Sequence, residues 1–404
     1  MALPERETGR GVPENHPPIN ERGRLSLQGH RDVLSLYVTT YQLIERTMKL
    51  KLFPYFCLGL LLLGGCSKDK EESIDAGQAI PDEIFRDFCL RTYDRNKDGM
   101  LSESEIRVAK SFDLRDRGIQ SLKGVEIFPF LERLYVSGNL LTELDLSRNT
   151  ALVDLFCENN LLSKLILSQH PGLARLDCRN NALTRLELSS AVLVHLDCSN
   201  NQLTGLDISK NLMLNVLNCQ NNQLAQLTTA RNMNLTELNC EDNHLTALAS
   251  HSPNLKWLKC SNNKLSELDL SRNPELTLAE CYFNRLATLD ISQNTKLEEL
   301  ACHDNQLTEL DLSEKPALNL LMCSENRLAK LDVTGSPLLK YLYCSSNALT
   351  ELDISRNEKL ISLSCMFHSG LQTISVWRTF NLQAPEISIP YILKDHWAEF
   401  RIKE

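Results

Sequence analysis

The sequence predicts an α/β repeat solenoid whose short parallel strands stack into one inner sheet. The first observation is a cysteine that recurs every 21 residues, twice every 20, across about half of the chain. The second is the pattern Leu-x-x-Leu-x-Cys-x-x-Asn-x-Leu around this position, repeated with variations twelve times from Leu131 to about Val376. A unit of roughly 20–29 residues cannot bury its leucines alone, so the copies must stack around a continuous core. The cysteines are Cys157, Cys178, Cys198, Cys219, Cys240, Cys260, Cys281, Cys302, Cys323, Cys344 and Cys365.

An asparagine three residues after the cysteine position marks the end of each predicted strand. Side chains alternate along a strand, so the second leucine and the cysteine point inward and their neighbours point outward. The asparagine turns the chain, and its amide satisfies backbone groups that burial would leave unpaired. Stacked at ~4.8 Å, twelve strands give a sheet roughly 55–60 Å long. The asparagines are Asn139, Asn160, Asn181, Asn201, Asn222, Asn243, Asn263, Asn284, Asn305, Asn326 and Asn347, with His368 in this place in the last copy.

The repeated cysteines predict a ladder of reduced thiols in the core. None of them has the Cys-x-x-Cys spacing of a zinc site. Equivalent positions on neighbouring strands lie ~4.8 Å apart, whereas a disulfide needs Cβ atoms ~3.8 Å apart. Each cysteine then acts as a small apolar side chain. A disulfide or a metal site is the alternative.

Residues 48–65 have the layout of a secretory signal. Lys49 and Lys51 form a basic region, residues 52–63 form an apolar run, and Leu63-Gly64-Gly65-Cys66 follows. The run is shorter than the ~20 residues of a membrane-spanning helix. The segment resembles a bacterial lipoprotein signal peptide. This resemblance implies that Cys66 becomes the first mature residue and carries acyl chains that anchor the protein to a membrane.

The residues on either side of this signal follow from the same interpretation. Residues 1–47 are then either disordered or a mis-assigned extension, with translation starting at Met48. Residues 66–80, which begin with a charged run, form a flexible tether. The alternatives are a genuine cytoplasmic extension with a signal anchor, or a buried core helix. Without residues 1–65 the chain has 35 basic and 46 acidic residues, a net charge of −11. This balance leaves no basic stripe for nucleic acid.

Residues 81–111 predict a small helical cap that contains a calcium loop of the EF-hand type. Such a loop spans twelve positions, with oxygen ligands at fixed places and a glycine at the sixth for the sharp turn, here Gly99. Because EF-hands usually pair and this one is alone, we expect calcium to fix the angle between two helices rather than to signal. The expected ligands are Asp94, Asn96, Asp98, the carbonyl of Met100, Ser102 and Glu105.

The repeat carries a resemblance to a known family in copies such as Leu297, Leu300, Cys302, Asn305 and Leu307. The chain from residue 112 to 376 resembles the internalin-type leucine-rich-repeat proteins of bacterial surfaces, with a cysteine ladder. The resemblance implies a leucine-rich-repeat horseshoe or arc that serves adhesion or ligand capture. With the lipoprotein signal that ends at Cys66 and with the calcium loop, the chain is similar to lipid-anchored surface proteins of the Bacteroidota type. This resemblance implies that the protein is anchored in the outer membrane and exposed at the cell surface.

The outward-facing strand residues predict the binding surface, the concave face of the arc. Aromatic side chains are few in this chain, and they gather on the C-terminal half of this face. Large side chains exposed together indicate a contact site for a protein or a glycan. The alternative is that aromatic residues favour strands and shield the sheet. The expected ligand-binding residues are Trp257, Tyr282, Phe283, Met322, Tyr341 and Tyr343.

The remaining sequence shows no enzyme signature. The histidines occupy different repeat positions and do not converge. Residues 377–404 leave the pattern, and the segment from Glu386 to Leu393 predicts a strand-rich C-terminal cap. We therefore expect a monomeric, non-catalytic binder of a protein or glycan. The alternative is a structural or accessory component of a nutrient-capture complex in the outer membrane.

Overall fold

The computed structural model describes residues 73–167 and 169–403. The predicted extension, signal peptide and lipidated Cys66 lie outside these residues. No helix in the described ranges is both long and apolar enough to cross a membrane.

The helices are α1 (Ala76–Ala79), α2 (Glu83–Tyr93), α3 (Glu103–Arg107) and α4 (Pro385–Ser388), with a 3-10 turn at Val125–Ile127. The strands are β1 (Ser73–Asp75), β2 (Met100–Ser102), β3 (Ser111–Asp113), β4 (Arg133–Tyr135), β5 (Glu143–Asp145), β6 (Asp154–Phe156), β7 (Lys164–Ile166), β8 (Arg175–Asp177), β9 (His195–Asp197), β10 (Val216–Asn218), β11 (Gln226–Thr228), β12 (Glu237–Asn239), β13 (Ala247–Ala249), β14 (Trp257–Lys259), β15 (Leu278–Glu280), β16 (Glu299–Ala301), β17 (Leu320–Met322), β18 (Tyr341–Tyr343), β19 (Glu351–Asp353), β20 (Ser362–Cys365), β21 (Thr373–Val376), β22 (Tyr391–Lys394) and β23 (Glu399–Ile402).

One parallel sheet runs the length of the solenoid and confirms the predicted fold class. Within the described residues this main sheet has fourteen strands, from β3 through β4, β6, β8, β9, β10, β12, β14, β15, β16, β17, β18 and β20 to β22. The first turn contributes β3, where Phe112 pairs with Leu134 of the next turn. Short parallel sheets lie on the other leucine row of the repeat: β5–β7, β11–β13 and β19–β21–β23.

The leucine and cysteine side chains of each turn form one continuous core. The second leucine of the motif and the cysteine are buried in turn after turn, and Ala279 fills the leucine position of β15. All twelve cysteines that the structure describes are free and buried, which confirms the thiol ladder. Cys89 of α2 is the one among them outside the ladder.

The asparagine ladder satisfies the backbone as the sequence predicts. In a central copy, the amide of Asn305 donates to the carbonyls of Cys302, at 3.2 Å, and of Cys281 in the preceding turn, at 3.0 Å. Its oxygen accepts the amide of Leu286 at 2.9 Å. Each asparagine therefore bonds to its own turn and to the turn before it, which joins neighbouring copies through buried groups.

A second asparagine ladder follows the Leu-Asp-Leu/Ile-Ser corner. The amide of Asn294 donates to the carbonyls of Leu270 and Asn273 at 3.1 and 2.8 Å. In the corner itself, the carboxylate of Asp269 accepts the amide of Ser271 at 2.9 Å. The repeated aspartates are therefore turn residues, as their spacing predicts.

Helix α2 is tied to the first turn of the solenoid by its N-cap. One oxygen of Asp82 accepts the amides of Ile84 and Phe85, both at 3.0 Å. The other accepts the amides of Gln120 and Ser121, at 3.0 and 3.2 Å. The rings of Phe85 and Phe88 of α2 pack edge to face against Phe112. The helical segment thus covers the N-terminal end of the core.

The C-terminal segment adds a further turn. Strand β22 pairs with β20, and β23 pairs with β21. Pro385–Ser388 forms α4, with proline in its first turn, and the first strand of this segment starts at Tyr391. The rings of Phe380 and Phe400 lie 4.9 Å apart beneath this last turn.

Candidate functional site

The outward side chains of the main sheet form the candidate binding surface, which we call the sheet face. Three columns run across it. The first and second columns are the first and third residues of each strand, as in Trp257 and Lys259. The third column is the residue after the cysteine, as in Tyr282. Neighbouring members of a column come from directly paired strands.

Arginines pair with several carboxylates in the N-terminal half of the sheet face. The guanidinium of Arg175 makes two hydrogen bonds of 2.7 Å to the carboxylate of Asp154. Arg179 lies 3.0 Å from Asp177 and 3.7 Å from Asp197. Burial raises the pKa of Asp177 to about 7, with further contributions from Asp197 and Glu158, which outweigh the opposing effect of Arg179. These acidic groups are already held by arginines of the same chain.

The predicted ligand-binding residues fall into two groups. Met322 pairs with Tyr343, and Leu320 pairs with Tyr341, so these four side chains form one apolar patch on β17 and β18. The patch residues are half-buried, because each is covered in part by the neighbouring strand. Trp257 belongs to the same column but lies three strands from Leu320, and 39% of it is exposed.

Tyr282 and Phe283 form a separate aromatic cluster with His303. The rings of Tyr282 and His303 stack 4.4 Å apart at an interplanar angle of 10°. The ring of Phe283 packs edge to face against both, at 5.8 and 5.9 Å. Burial lowers the pKa of His303 to about 4, so the imidazole is neutral at physiological pH. The hydroxyl of Tyr282 donates to Glu241, 3.3 Å away and two turns back.

Phe283 occupies an unusual backbone position. Its φ is 50°, in the left-handed region. The residue at this place is left-handed in turn after turn, and asparagine or aspartate is the commonest choice, as at Asn262 and Asp304. A bulky side chain in this conformation is a genuine outlier. Phe283 nonetheless leaves 49% of its surface exposed, and Phe367 repeats the arrangement four turns later.

Carboxylates gather on the middle of the sheet face. Glu237 precedes Trp257 in the first column, and Glu299 follows two strands later. Burial raises the pKa of both. Burial, and then the charge of Glu280, raise the pKa of Glu241 to about 7. Lys259 lies 3.0 Å from Glu280 and opposes this effect.

Sequence reasoning named Tyr282 and a strand-rich segment from Glu386 to Leu393, but it did not identify the third column as a whole or the pairing of the last strand. The third column was readable, because His303 follows Cys302 as Tyr282 follows Cys281. The pairing of β22 with β20 was harder to predict, because β22 has Ile392 and Lys394 in place of the leucine and cysteine of the repeat. Its register places Tyr391 and Leu393, 53% and 56% exposed, in the first and second columns beside Ser362 and Ser364. The C-terminal segment therefore extends the sheet face.

The predicted calcium loop joins α2 to α3. The carboxylate of Asp94 accepts the amides of Lys97 and Gly99, at 2.6 and 3.0 Å. Asp98 accepts the amide of Met100 at 2.8 Å. The loop is therefore closed by its own acidic side chains, and Lys97 and Gly99 take positive φ values within it. The other predicted ligands in the same loop are Asn96, Ser102 and Glu105.

Glu105 stabilises the start of α3. Its two oxygens accept the amides of Arg95 and Ser102, at 2.7 and 2.9 Å, in a capping box. Burial raises the pKa of Glu105, but hydrogen bonds from Ser102, Arg95 and Asn96 outweigh it and hold the pKa below its usual value. Strand β2 of the loop pairs antiparallel with β1.

The oxygen atoms of the loop are of the chemical type that binds a hard cation. In the part of the chain that the structure describes, no three His, Cys, Asp or Glu side chains converge on a single metal position. To bind calcium, the loop would therefore have to use Asn96 and the carbonyl of Met100 as ligands. The side chain of Glu105 would also have to rotate away from the helix cap.

Known proteins share the repeat architecture. No protein-family model and no curated protein sequence matches the chain. The functional domain of InlJ from Listeria monocytogenes, which includes a cysteine ladder, has a TM-score of 0.59 and 28% identity over 80% of each chain. An internalin, InlF, from the same species has a TM-score of 0.59 and 18% identity, with 82% of this chain and 94% of that chain covered. The plant peptide hormone receptor RGFR1, in complex with RGF2, has a TM-score of 0.57 and 19% identity, with 71% and 55% covered.

These similar structures support different conclusions. InlF and RGFR1 are below 25% identity and show the fold alone, whereas InlJ also shares the ladder of cysteines. The likeness to InlJ supports a protein-binding repeat protein. The chain thus has the fold of the internalin-type leucine-rich-repeat proteins with a cysteine ladder.

Proposed function

We propose that this chain is a non-catalytic, lipid-anchored protein of a bacterial cell surface that captures a protein ligand on its sheet face. The observation that carries the proposal is the run of large side chains across the C-terminal half of that face. The patch of Leu320, Met322, Tyr341 and Tyr343 is continuous through paired strands, with Trp257 further along the first column. Rigid aromatic groups on a preformed sheet need little ordering on association.

The test is binding of the protein from residue 66 onward to arrays of extracellular-matrix proteins and glycans. The triple variant Trp257→Ala, Tyr282→Ala, Tyr343→Ala removes three of the predicted contacts. A matched control, Leu161→Ala, Met213→Ala, Met233→Ala, removes exposed apolar side chains outside the strands. A protein hit lost only in the first variant supports the proposal. A hit on glycans alone, or one unaffected by the first variant, contradicts it, and co-purification with an outer-membrane complex would favour the accessory role.

The anchor is a separate part of the proposal. The resemblance of residues 48–66 to a lipoprotein signal supports acylation of Cys66. Mass spectrometry of protein expressed in a Gram-negative host should find a diacylated or triacylated N-terminus at Cys66, and Cys66→Ser should leave the protein in the soluble fraction. Recovery of intact residues 1–47 in the purified protein would contradict this part.

Calcium is proposed as a structural ion of the loop between α2 and α3. The pattern of acidic residues and the closed loop support it. Calorimetry on chelator-stripped protein should show binding, and the ion should raise the melting temperature. Asp98→Ala should abolish both effects, whereas Asp87→Ala, on the exposed face of α2, should change neither. Absence of binding at millimolar calcium would refute the site.

A further inference from the structure

The middle of the sheet face carries more negative charge than its own cations balance. Four carboxylates lie on strands β12 to β16 or directly after them: Glu237, Glu241, Glu280 and Glu299. The cation that faces them is Lys259, 3.0 Å from Glu280, and its charge lowers the pKa of Glu241 and Glu299 as well. Asp242 and Glu298 add further negative charge beside Glu241 and Glu299.

The N-terminal half of the same face has two arginines, Arg175 and Arg179, that pair with its carboxylates. There, Asp154 is held by two hydrogen bonds from Arg175, and Asp177 lies 3.0 Å from Arg179. Half-buried carboxylates that are not matched by cations destabilise the free protein, because desolvation disfavours the charged form. Burial raises the pKa of Glu237, Glu241 and Glu299, as it also raises that of Asp177.

Aromatic rings stand beside the same carboxylates. Trp257 pairs with Glu237 on one side and with Leu278 on the other. Tyr282 follows Glu280 by two residues and hydrogen-bonds to Glu241. Carboxylates next to aromatic rings suit a guanidinium or an ammonium group, which pairs with the acid and contacts the ring.

We propose that the central sheet face, from Glu237 to Glu299, binds a cationic segment of a partner protein, with arginine or lysine side chains set between its carboxylates and beside Trp257 and Tyr282. This inference rests on the proposed function and names the chemistry of the partner. The charge of the surface excludes nucleic acid, which it would repel. A metal ion is disfavoured, because no three acidic, histidine or cysteine side chains in the described residues converge on one position.

Proton release accompanies this binding. Near pH 6 to 7, Glu241 is partly protonated, because its pKa is about 7. An incoming cation favours the charged carboxylate and lowers that pKa. Binding therefore expels protons, and affinity increases from pH 6 to pH 8. The groups that face Glu241 and set this behaviour are Glu280, Lys259, Asp242 and Tyr282.

The experiment uses the protein from residue 66 onward and two synthetic dodecapeptides. In one, arginine alternates with threonine; in the other, citrulline replaces each arginine and removes the charge at nearly constant shape. Calorimetry at low salt in two buffers of different ionisation enthalpy gives the affinity and the protons released. We expect binding of the arginine peptide, at least about tenfold weaker binding of the citrulline peptide, and proton release at pH 6.5.

Matched variants locate the site. Glu280→Gln with Glu299→Gln removes two central charges and keeps their shape, so the affinity should fall about tenfold or more. Glu143→Gln with Glu351→Gln removes two exposed charges from strands β5 and β19, outside the main sheet, and should have no effect. Equal binding of both peptides, equal loss in both variants, or no binding at millimolar peptide would overturn the inference. If the array test still finds a protein hit that depends on Trp257, the proposed function stands and only the cationic partner is wrong.

Discussion

The carboxylate of Asp395 completes the ladder above His368. One of its oxygens accepts the amide of Phe367 at 2.9 Å, and the other accepts the amide of His368 at 3.0 Å. His368 in turn donates from Nδ1 to the carbonyl of Asn347 at 3.2 Å. A single acidic side chain of the last turn therefore takes over the role that the backbone of a following repeat has elsewhere.

Replacement of Asp395 by alanine should destabilise the C-terminal turn. Two amides in a buried region lose their acceptor, at a cost of about 1–3 kcal/mol each when a group is left unsatisfied. Hydrogen exchange should show faster opening from residue 362 onward and little change before residue 300. Asp395→Asn keeps an acceptor oxygen and should lose less. Uniform destabilisation of the whole solenoid would contradict this local role.

Lys315 occupies a position that asparagine holds in most turns of the second ladder. It is 1% exposed, and its amine reaches only the carbonyl of Glu314, at 3.3 Å. Burial lowers its pKa. Lys315→Asn should donate to the turn before it, as Asn294 does, and raise the free energy of unfolding by about 1 kcal/mol. Urea unfolding checks this, with Lys315→Ala as the control that removes the amine without adding an amide.

Phe283 should show the cost of its left-handed backbone in a comparison of two variants. Asparagine tolerates this conformation, whereas alanine does not, and both remove the ring. Phe283→Asn should therefore be more stable than Phe283→Ala by about 1 kcal/mol. Thermal unfolding of the two variants provides the measurement. If both variants also weaken ligand binding equally, the ring itself contributes to recognition; equal stability of the two would contradict the backbone argument.

Asp177 should make the protein less stable as pH rises. Its folded pKa is about 7, above the unfolded value, so the native state binds more protons between about pH 4 and pH 7. Its contribution to stability is present below this window and is lost as pH rises through 7. Asp177→Asn removes the titration, so the variant should gain stability relative to the wild type between pH 5 and pH 8, on the order of 2 kcal/mol. Urea unfolding at both pH values tests this, and a constant difference would disprove the assignment.

The sequence predicts the strands, the thiol ladder and the first asparagine ladder, because the same burial requirement fixes their residues in each turn. Leucine, cysteine and asparagine at fixed spacing leave one arrangement that buries the first two and pairs the third. Where that requirement lapses, the sequence predicts a strand-rich cap but not how its strands pair with the repeats. Strand β22 forms around Ile392 and pairs with β20 without the motif, because the last turn needs only some apolar strand to cover the core.

The chemistry of the sheet face was less predictable than the fold. Outward positions could be assigned by alternation, but their exposure depends on side chains of neighbouring turns. The stacking of Tyr282 on His303 and the pairing of Arg175 with Asp154 join residues 21 positions apart, and no local pattern marks them. The left-handed position of Phe283 is equally hidden, because the motif leaves that place free.

The native cysteines of the thiol ladder can report on the unfolding of the protein. Burial raises the pKa of Cys219 and Cys281 to about 12, and of the other ladder cysteines above their usual value, so these thiols are inert while their turns stay closed. A small alkylating reagent can modify a given cysteine only after that turn has opened. Since eleven consecutive turns carry one cysteine each, the order in which they are labelled would give the order in which the solenoid comes apart, turn by turn, without any engineered probe.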